Sequence, residues 1–249
     1  MNVLPFDRDA LLSLLAHYND AVWPWQVLWV ALAFAALGLL HPATRGALKT
    51  RGVAAILAAL WAWMGVVFHF VFFSTIQPAA WLFGAVSLLQ AAALAWYGVA
   101  HDGFGAKPSP LASPVRAPRG FEPNGKAAST QAPPPRAPWR TGAAWTLIGY
   151  ALLAYPLLGW EQGLRFPAVP TFSMPGPTTI YSVGLMLLAG PSVPRVLFIV
   201  PVLWALVGSM AAMTLGLTQD LMLWLAGIAA VWAIGAPAPV APQLGTDAS

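Results

Sequence analysis

Few residues of this sequence could do chemistry, because ionisable side chains are scarce in it. His69 stands in the run GVVFHFVFF, and Glu161 and Arg165 stand in the run WEQGLRF. An ionisable group within a membrane is costly and usually faces a cavity or a partner. His69 or Glu161 is therefore predicted to be a proton-coupling group. Glu161 and Arg165 have the spacing to pair on one helix, although Gly163 and Pro167 oppose its continuation.

A proline-rich stretch, PTFSMPGPTTIYS at 170–182, interrupts the apolar pattern. Pro177 fits a helix start, and Thr178 or Thr179 could cap the helix. A helix N-terminus favours anions or carbonyl oxygens, so we expect this loop to enter the outer half of a helix bundle and to help form a binding site. The predicted substrate-binding residues are His69, Glu161, Arg165, Thr171, Thr178 and Thr179. The alternative is a lid whose threonines are satisfied internally.

Other kinds of site find little support in the sequence. The four histidines show no metal-ligand spacing, and the absence of cysteine excludes disulfides and thiolate ligands. We find no serine nucleophile motif, no paired carboxylates, no phosphate-binding loop and no lysine in the last apolar segment for a Schiff base. The sequence therefore predicts no catalytic residues, no metal site and no cofactor.

The composition is that of a membrane protein. Apolar residues make up 59% of the chain and charged residues 8%, whereas soluble domains carry about 25% charged residues. Several windows run 18 or more residues without a charge, which is long enough to cross a bilayer. We predict an all-α, polytopic fold with seven transmembrane helices, the fifth of them short. Their ranges are 22–40, 52–73, 79–100, 141–160, 178–190, 194–215 and 219–235.

The lysines and arginines predict the orientation. Ten of the twelve fall in 41–51, 101–140 and 191–195, which lie on one side of a seven-span topology. The other side holds only Arg8 and Arg165. Because positively charged loops stay in the cytoplasm, we expect the N-terminus outside and the C-terminus inside a bacterial inner membrane.

The remaining segments flank or link the predicted spans. Residues 1–21 predict an interfacial amphipathic helix, with Leu11, Leu14, Leu15 and Tyr18 on its apolar face and Asp7 or Asp9 as its cap. Residues 101–140 are rich in proline and hold six basic and two acidic residues, so they predict a disordered cytoplasmic linker. This segment accounts for the net charge of +4 and gives no reason to expect nucleic-acid binding. The linker separates spans 22–100 and 141–235, and a disordered tail is predicted at 236–249.

Five stretches are distinctive as a set: LPF at 4–6, YNDAVWP at 18–24, WMGVVFHFVFF at 63–73, IQPAAWLFG at 76–84 and PTFSMPGPTTI at 170–180. Together they resemble a bacterial inner-membrane family catalogued as domain of unknown function 6064, whose members are sometimes labelled permeases. The resemblance implies the topology and brings no established activity. The family pattern often has a cysteine where this chain has Gly176, so the resemblance implies no soft-metal site here.

The leading functional hypothesis is a small permease, or a solute-binding membrane protein, with an outward-facing site. Its expected partners are the lipid bilayer and a small solute. The alternative is a non-transporting scaffold or accessory subunit whose outer loop contacts another membrane protein. An intramembrane enzyme ranks third, because the sequence shows no catalytic set.

Overall fold

The computed structural model describes residues 4–41, 44, 47–101, 104 and 138–236. Over these residues the regular structure is entirely helical, which confirms the predicted fold class at that level. Most of the predicted linker 101–140 and of the predicted tail 236–249 lies outside the described residues. Phe104, within the predicted linker, is buried and accepts a hydrogen bond from Ser192 through its carbonyl (3.1 Å).

Two helices of 15 residues open the described chain. Helix α1 spans Arg8–Val22 and helix α2 spans Trp25–Leu39, with a bend of 83° between them. Asp7 caps α1, since its carboxylate accepts a hydrogen bond from the Ala10 amide at 2.9 Å. The predicted apolar face of α1 is present, and its residues are buried against protein. Tyr18 on this face contacts the rings of Phe68 and Phe72, so protein packing takes the place of the expected headgroup contact.

The next two helices are long and end in π-helical segments. Helix α3 spans Ala47–Trp63 and continues as a π-helix over Met64–Phe72 and a 3₁₀ turn over Phe73–Thr75. Helix α4 spans Ala80–Ala93 and continues as a π-helix over Leu94–Ala100. A π-helical turn is rare and is frequently found at functional sites.

The fourth predicted span is built from two helices. Helix α5 spans Pro138–Gly149, a π-helical segment covers Tyr150–Ala154, and helix α6 spans Tyr155–Glu161. A proline such as Pro156 usually kinks a helix, because proline has no amide hydrogen and its ring clashes with the carbonyl four residues earlier. The widened π-helical segment directly before Pro156 accommodates the ring, and Pro138–Glu161 forms one continuous run of 24 residues.

Three further helices complete the bundle. Helix α7 spans Pro175–Ala189. Helix α8 spans Ile199–Leu215 after a 3₁₀ turn over Arg195–Phe198. Helix α9 spans Met222–Gly235 after a 3₁₀ turn over Thr218–Leu221.

Helix α7 lies at the centre of the bundle, where α3, α5, α8 and α9 pack around it. Every residue from Gly176 to Leu188 is buried, as expected of a helix that is apolar on all sides. Two long-range hydrogen bonds fix α7: the Tyr181 hydroxyl donates to the Ala33 carbonyl (2.7 Å), and the Trp61 indole donates to the Ser182 hydroxyl (3.0 Å).

Five helical runs are long and apolar enough to cross a membrane, and the bent pair α1–α2 would make a sixth. The five runs are Leu48–Thr75, Ala80–Ala100, Pro138–Glu161, Arg195–Leu215 and Thr218–Gly235. Helix α7 has only 15 residues, about 22 Å of helix. The short length predicted for the fifth span is therefore observed, while a count of seven spans stays a prediction.

The two ends of the bundle differ in charge. We call the end that holds α1, Gln77, Glu161 and Asp220 the α1 end. The charged residues described at the α1 end are Asp7, Arg8, Asp9, Asp20, Glu161, Arg165 and Asp220. The opposite end, where Arg195 bonds the Ala236 carbonyl, holds the described residues Lys49, Arg51, Arg140 and Arg195 and no described acidic residue. Carboxylates therefore predominate at the α1 end and cations at the other.

Candidate functional site

The proline-rich loop crosses the α1 end and is fixed there by Asn19, which is fully buried. The Asn19 side-chain amide donates to the carbonyls of Pro167 (2.6 Å) and Val169 (2.7 Å). Its side-chain oxygen accepts from the Thr171 hydroxyl at 2.8 Å. These three bonds attach the loop between α6 and α7 to helix α1.

A second anchor lies at Ser173, whose φ of 83° is uncommon for a residue with a side chain. The hydroxyls of Ser173 and Tyr18 lie 3.2 Å apart, and the Trp63 indole donates to the Tyr18 hydroxyl at 2.9 Å. Tertiary contacts with α1 and α3 therefore hold this turn directly before α7.

Helix α7 begins three residues earlier than predicted, at Pro175. Both Pro175 and Pro177 lie in its first turn, where a missing amide hydrogen costs no helical hydrogen bond. Thr178 and Thr179 therefore lie inside the helix, and the expectation that one of them caps it was wrong. Both are fully buried, and neither hydroxyl has a hydrogen-bond partner.

A cavity of about 330 Å³ lies beneath this loop at the α1 end. Its walls are formed by α1, α4, α6, α8, the continuation of α3 beyond Trp63, the loop before α7, the start of α7 and the 3₁₀ turn that leads into α9. Its lining is mostly apolar, and its polar side chains are His69, Gln77, Tyr155, Thr214 and Asp220. Met210 and Thr214 of α8 line the cavity and are exposed, so its mouth lies along that helix.

Aromatic rings surround His69 on the wall formed by α3, α4 and α8. The imidazole stacks on Trp204 with ring centroids 5.0 Å apart and an interplanar angle of 9°. Phe68, Phe73 and Phe83 approach the imidazole at centroid distances of 5.2, 5.8 and 6.0 Å. We call these five residues the aromatic wall.

His69 has no exposed surface, yet neither of its ring nitrogens has a hydrogen-bond partner in the protein. The indole nitrogen of Trp204 is buried and unpaired as well. Leaving a buried polar group unpaired costs about 1–3 kcal/mol, and such groups are rare in native structures. The aromatic wall therefore contains buried polar atoms that have no partner in the protein.

Asp220 faces the cavity from the start of α9. One of its carboxylate oxygens accepts a hydrogen bond from the Tyr155 hydroxyl at 2.6 Å. The same oxygen lies so close to Gly176 that a Cβ added there would overlap it and would lie 2.8 Å from the Tyr155 hydroxyl. Since Gly176 is in the first turn of α7, the carboxylate lies against a helix N-terminus, where a negative charge is favourable.

The predicted site residues do not come together as one cluster. His69 lines the cavity, whereas Glu161 and Arg165 are exposed and lie outside it. Helix α6 ends at Glu161, so the helical spacing with Arg165 is not realised. The Arg165 guanidinium bonds the carbonyls of Trp160 and Leu164 and lies over the Trp160 ring, 4.8 Å from its centroid.

The threonines of the predicted set lie elsewhere as well. Thr171 binds Asn19, and Thr178 and Thr179 are enclosed within the bundle, so none of the three lines the cavity. Among the residues described, no three histidine, aspartate or glutamate side chains are arranged to hold a metal ion.

Sequence reasoning missed three residues that define the cavity: Tyr155, Trp204 and Asp220. Asp220 carried a usable signal, since it is an acidic residue at the head of a long apolar run. Tyr155 and Trp204 carried none, because an aromatic residue within a long apolar run most often packs in a helix interface whatever its further role.

Comparison with known families matches residues 8–109 and 131–238 to a group described as a family of unknown function, DUF6064. The match covers most of the chain, including both predicted groups of spans, which confirms the resemblance drawn from the sequence. No curated protein matches the chain. No solved structure matches it either.

Proposed function

We propose that this chain, which belongs to the DUF6064 family of unknown function, is an integral membrane protein that binds a small solute at its α1 end. One observation carries the proposal: a cavity of about 330 Å³ at the α1 end has a mostly apolar lining with a few polar side chains, among them Asp220 and Gln77. Ligand sites are typically mostly apolar cavities of this order with a few placed polar groups.

The surface supports the membrane part of the proposal. Large apolar side chains such as Leu82, Leu153 and Trp232 are more than 60% exposed, although they lie within long helices. Such surfaces are favourable in lipid and unfavourable in water. The described cations at the opposite end favour a cytoplasmic location for that end, so the cavity would face outward.

A permease is the finer form of this proposal. In that form the solute enters the cavity from the outside and reaches Asp220 and the ring surfaces that line it. The π-helical segment that carries His69 supports a functional role for this part of α3, since π-helical turns recur at functional sites.

The experiment uses the natural absence of cysteine. Ala211 lines the cavity and is partly buried, whereas Ala230 is fully buried and lines no cavity described in the structure. The variant Ala211→Cys should react with methyl methanethiosulfonate added to proteoliposomes, and Ala230→Cys, the matched control, should not. Neopentylbenzene, a small apolar probe, should slow the reaction at Ala211→Cys by filling the cavity.

Two results would contradict the proposal. An unreactive Ala211→Cys would show a packed interior, which favours the scaffold hypothesis. If Ala211→Cys reacts and neither neopentylbenzene nor its charged analogues, benzyltrimethylammonium and benzylsulfonate, slow the reaction, the cavity is an open groove that binds no solute.

A further inference from the structure

We infer that the solute bound in this cavity is a small organic cation, held between the Asp220 carboxylate and the aromatic wall. The inference rests on the proposed function, because it names the class of solute for the same cavity. Four features support it: the charge of the lining, the start of α7, the aromatic rings and the charge of the α1 end.

The lining carries charge of one sign. Asp220 is the acidic residue of the cavity, and no lysine or arginine is among its described lining residues. The one hydrogen bond found for the carboxylate comes from Tyr155, a neutral donor. Because a charge in an apolar interior is strongly destabilising without a partner of opposite sign, the cavity favours a cation over a neutral or anionic solute.

The start of α7 argues against an anionic solute. A helix N-terminus favours an anion, but here the carboxylate of Asp220 already lies against Gly176 in the first turn. Pro175 and Pro177 have no amide hydrogen, so two of the donors that usually bind an anion at such a turn are missing. An anionic solute would find few donors there and would be repelled by Asp220.

The aromatic wall is suited to the cation and to its apolar body. Trp204, Phe83 and Phe73 present ring surfaces, and a cation within about 6 Å of such a ring gains about 0.5–2 kcal/mol. The rings also contact apolar groups favourably.

The charge of the α1 end acts in the same direction. Its described acidic residues are Asp7, Asp9, Asp20, Glu161 and Asp220, against two described cations, Arg8 and Arg165. Clustered charges of one sign raise the local concentration of counter-ions and their rate of association. Organic cations are therefore concentrated at the end where the cavity opens.

The test compares three probes that share a benzyl group and a tetrahedral head: benzyltrimethylammonium, neutral neopentylbenzene and anionic benzylsulfonate. Each is titrated for its ability to slow the reaction of Ala211→Cys with methyl methanethiosulfonate. We expect benzyltrimethylammonium to protect at a concentration at least tenfold lower than benzylsulfonate. Asp220→Asn, which keeps the side-chain shape, is then combined with Ala211→Cys. The combination should weaken protection by benzyltrimethylammonium at least tenfold and should change protection by neopentylbenzene less than twofold.

The matched control is Glu161→Gln, which removes one negative charge from the α1 end, as Asp220→Asn does, but at an exposed position outside the cavity. It separates the general attraction of cations to this end from contact with Asp220. Protection by benzyltrimethylammonium in this variant should stay within twofold of that measured with Glu161 in place. Equal protection by all three probes, or preferred protection by benzylsulfonate, would overturn the charge inference while leaving solute binding intact. Protection by none of them would contradict the proposed function itself. If Asp220→Asn does not fold, the order of the three probes with Asp220 in place decides alone.

Discussion

At the scale of single residues, the imidazole of His69 is enclosed by aromatic rings, and its two nitrogens make no hydrogen bond within the protein. Such an arrangement reduces stability, because both nitrogens lose their bonds to water on folding and gain none in the protein. Residues with this property are expected where function requires an unpaired group.

The first prediction concerns the stability cost of that imidazole. His69→Phe keeps an aromatic ring against Trp204 and removes both unpaired nitrogens. We expect the free energy of unfolding in detergent to stay constant or to rise by about 1–2 kcal/mol. Protection by benzyltrimethylammonium should change less than twofold, because this probe has no N–H to donate to the imidazole and the ring is kept. A loss of several kcal/mol would mean that the ring nitrogens have a stabilising partner. Thermal unfolding followed by circular dichroism measures the stability.

The second prediction concerns Gly176. A methyl group at this position would overlap the Asp220 carboxylate and press on the Tyr155 hydroxyl. Gly176→Ala should therefore separate Asp220 from α7 and cost about 1–3 kcal/mol of unfolding free energy. Gly149→Ala is the control, because a Cβ there meets no atom within 4 Å and alanine favours a helix. If Gly176→Ala and Gly149→Ala changed thermal unfolding equally, Asp220 would be free to move away from α7.

At the scale of elements, Asn19 connects α1 with the loop that precedes α7. Its side chain donates to two loop carbonyls and accepts from Thr171, while the Gln26 amide donates to its backbone carbonyl at 3.0 Å. Removing the side chain would leave three half-buried groups of the loop without their partner: the carbonyls of Pro167 and Val169 and the Thr171 hydroxyl.

The third prediction follows from these bonds. Asn19→Ala should lower the free energy of unfolding by about 2–4 kcal/mol, since each unpaired buried group costs about 1–3 kcal/mol and water can reach some of them. Limited proteolysis should also cut the loop 162–174 faster. Asp20→Ala, at the exposed neighbouring position, should change neither result. If both variants behaved alike, the loop would be held by its own prolines and not by α1.

Most of the elements could be predicted from the sequence, and their junctions could not. The predicted spans each contain a helix, because long apolar runs between polar segments are a strong signal. The start of α7 was placed too late, since Pro175 and Pro177 both suit a first helical turn. The π-helical segments leave no mark in the apolar pattern.

The site was harder to predict than the helices for a physical reason. His69 and Trp204 stack although they stand far apart in the sequence, and Asp220 meets Gly176 in the same way. Packing creates such pairs, and no local pattern encodes them. His69 could be singled out because a histidine in an apolar run is costly, whereas Glu161 and Arg165 raised the same expectation and lie outside the cavity.

At the scale of the whole molecule, the bundle has an acidic end with a cavity and a basic end opposite. The proposed orientation places the acidic end outside the cell, in keeping with the retention of basic segments in the cytoplasm. This arrangement can be tested at exposed positions, since any introduced cysteine is unique.

The fourth prediction tests the orientation. Ser13 in α1 and Ser192 in the turn between α7 and α8 are both exposed, at opposite ends of the bundle. In whole cells a membrane-impermeant maleimide should label Ser13→Cys at once and Ser192→Cys only after permeabilisation. The reverse pattern would place the cavity in the cytoplasm. Labelling of both in intact cells would contradict a membrane-spanning bundle.

The complete enclosure of α7 has a consequence for how the chain is made. Ribosomes deliver α7 before α8 and α9, so a nascent chain that ends at Gly190 lacks two of the helices that cover it. During that interval the sides of α7 that α8 and α9 later cover must meet lipid, water or a helper protein. The newborn α7 therefore depends on helices that have not yet been translated, and it reaches its final surroundings only when synthesis is nearly finished.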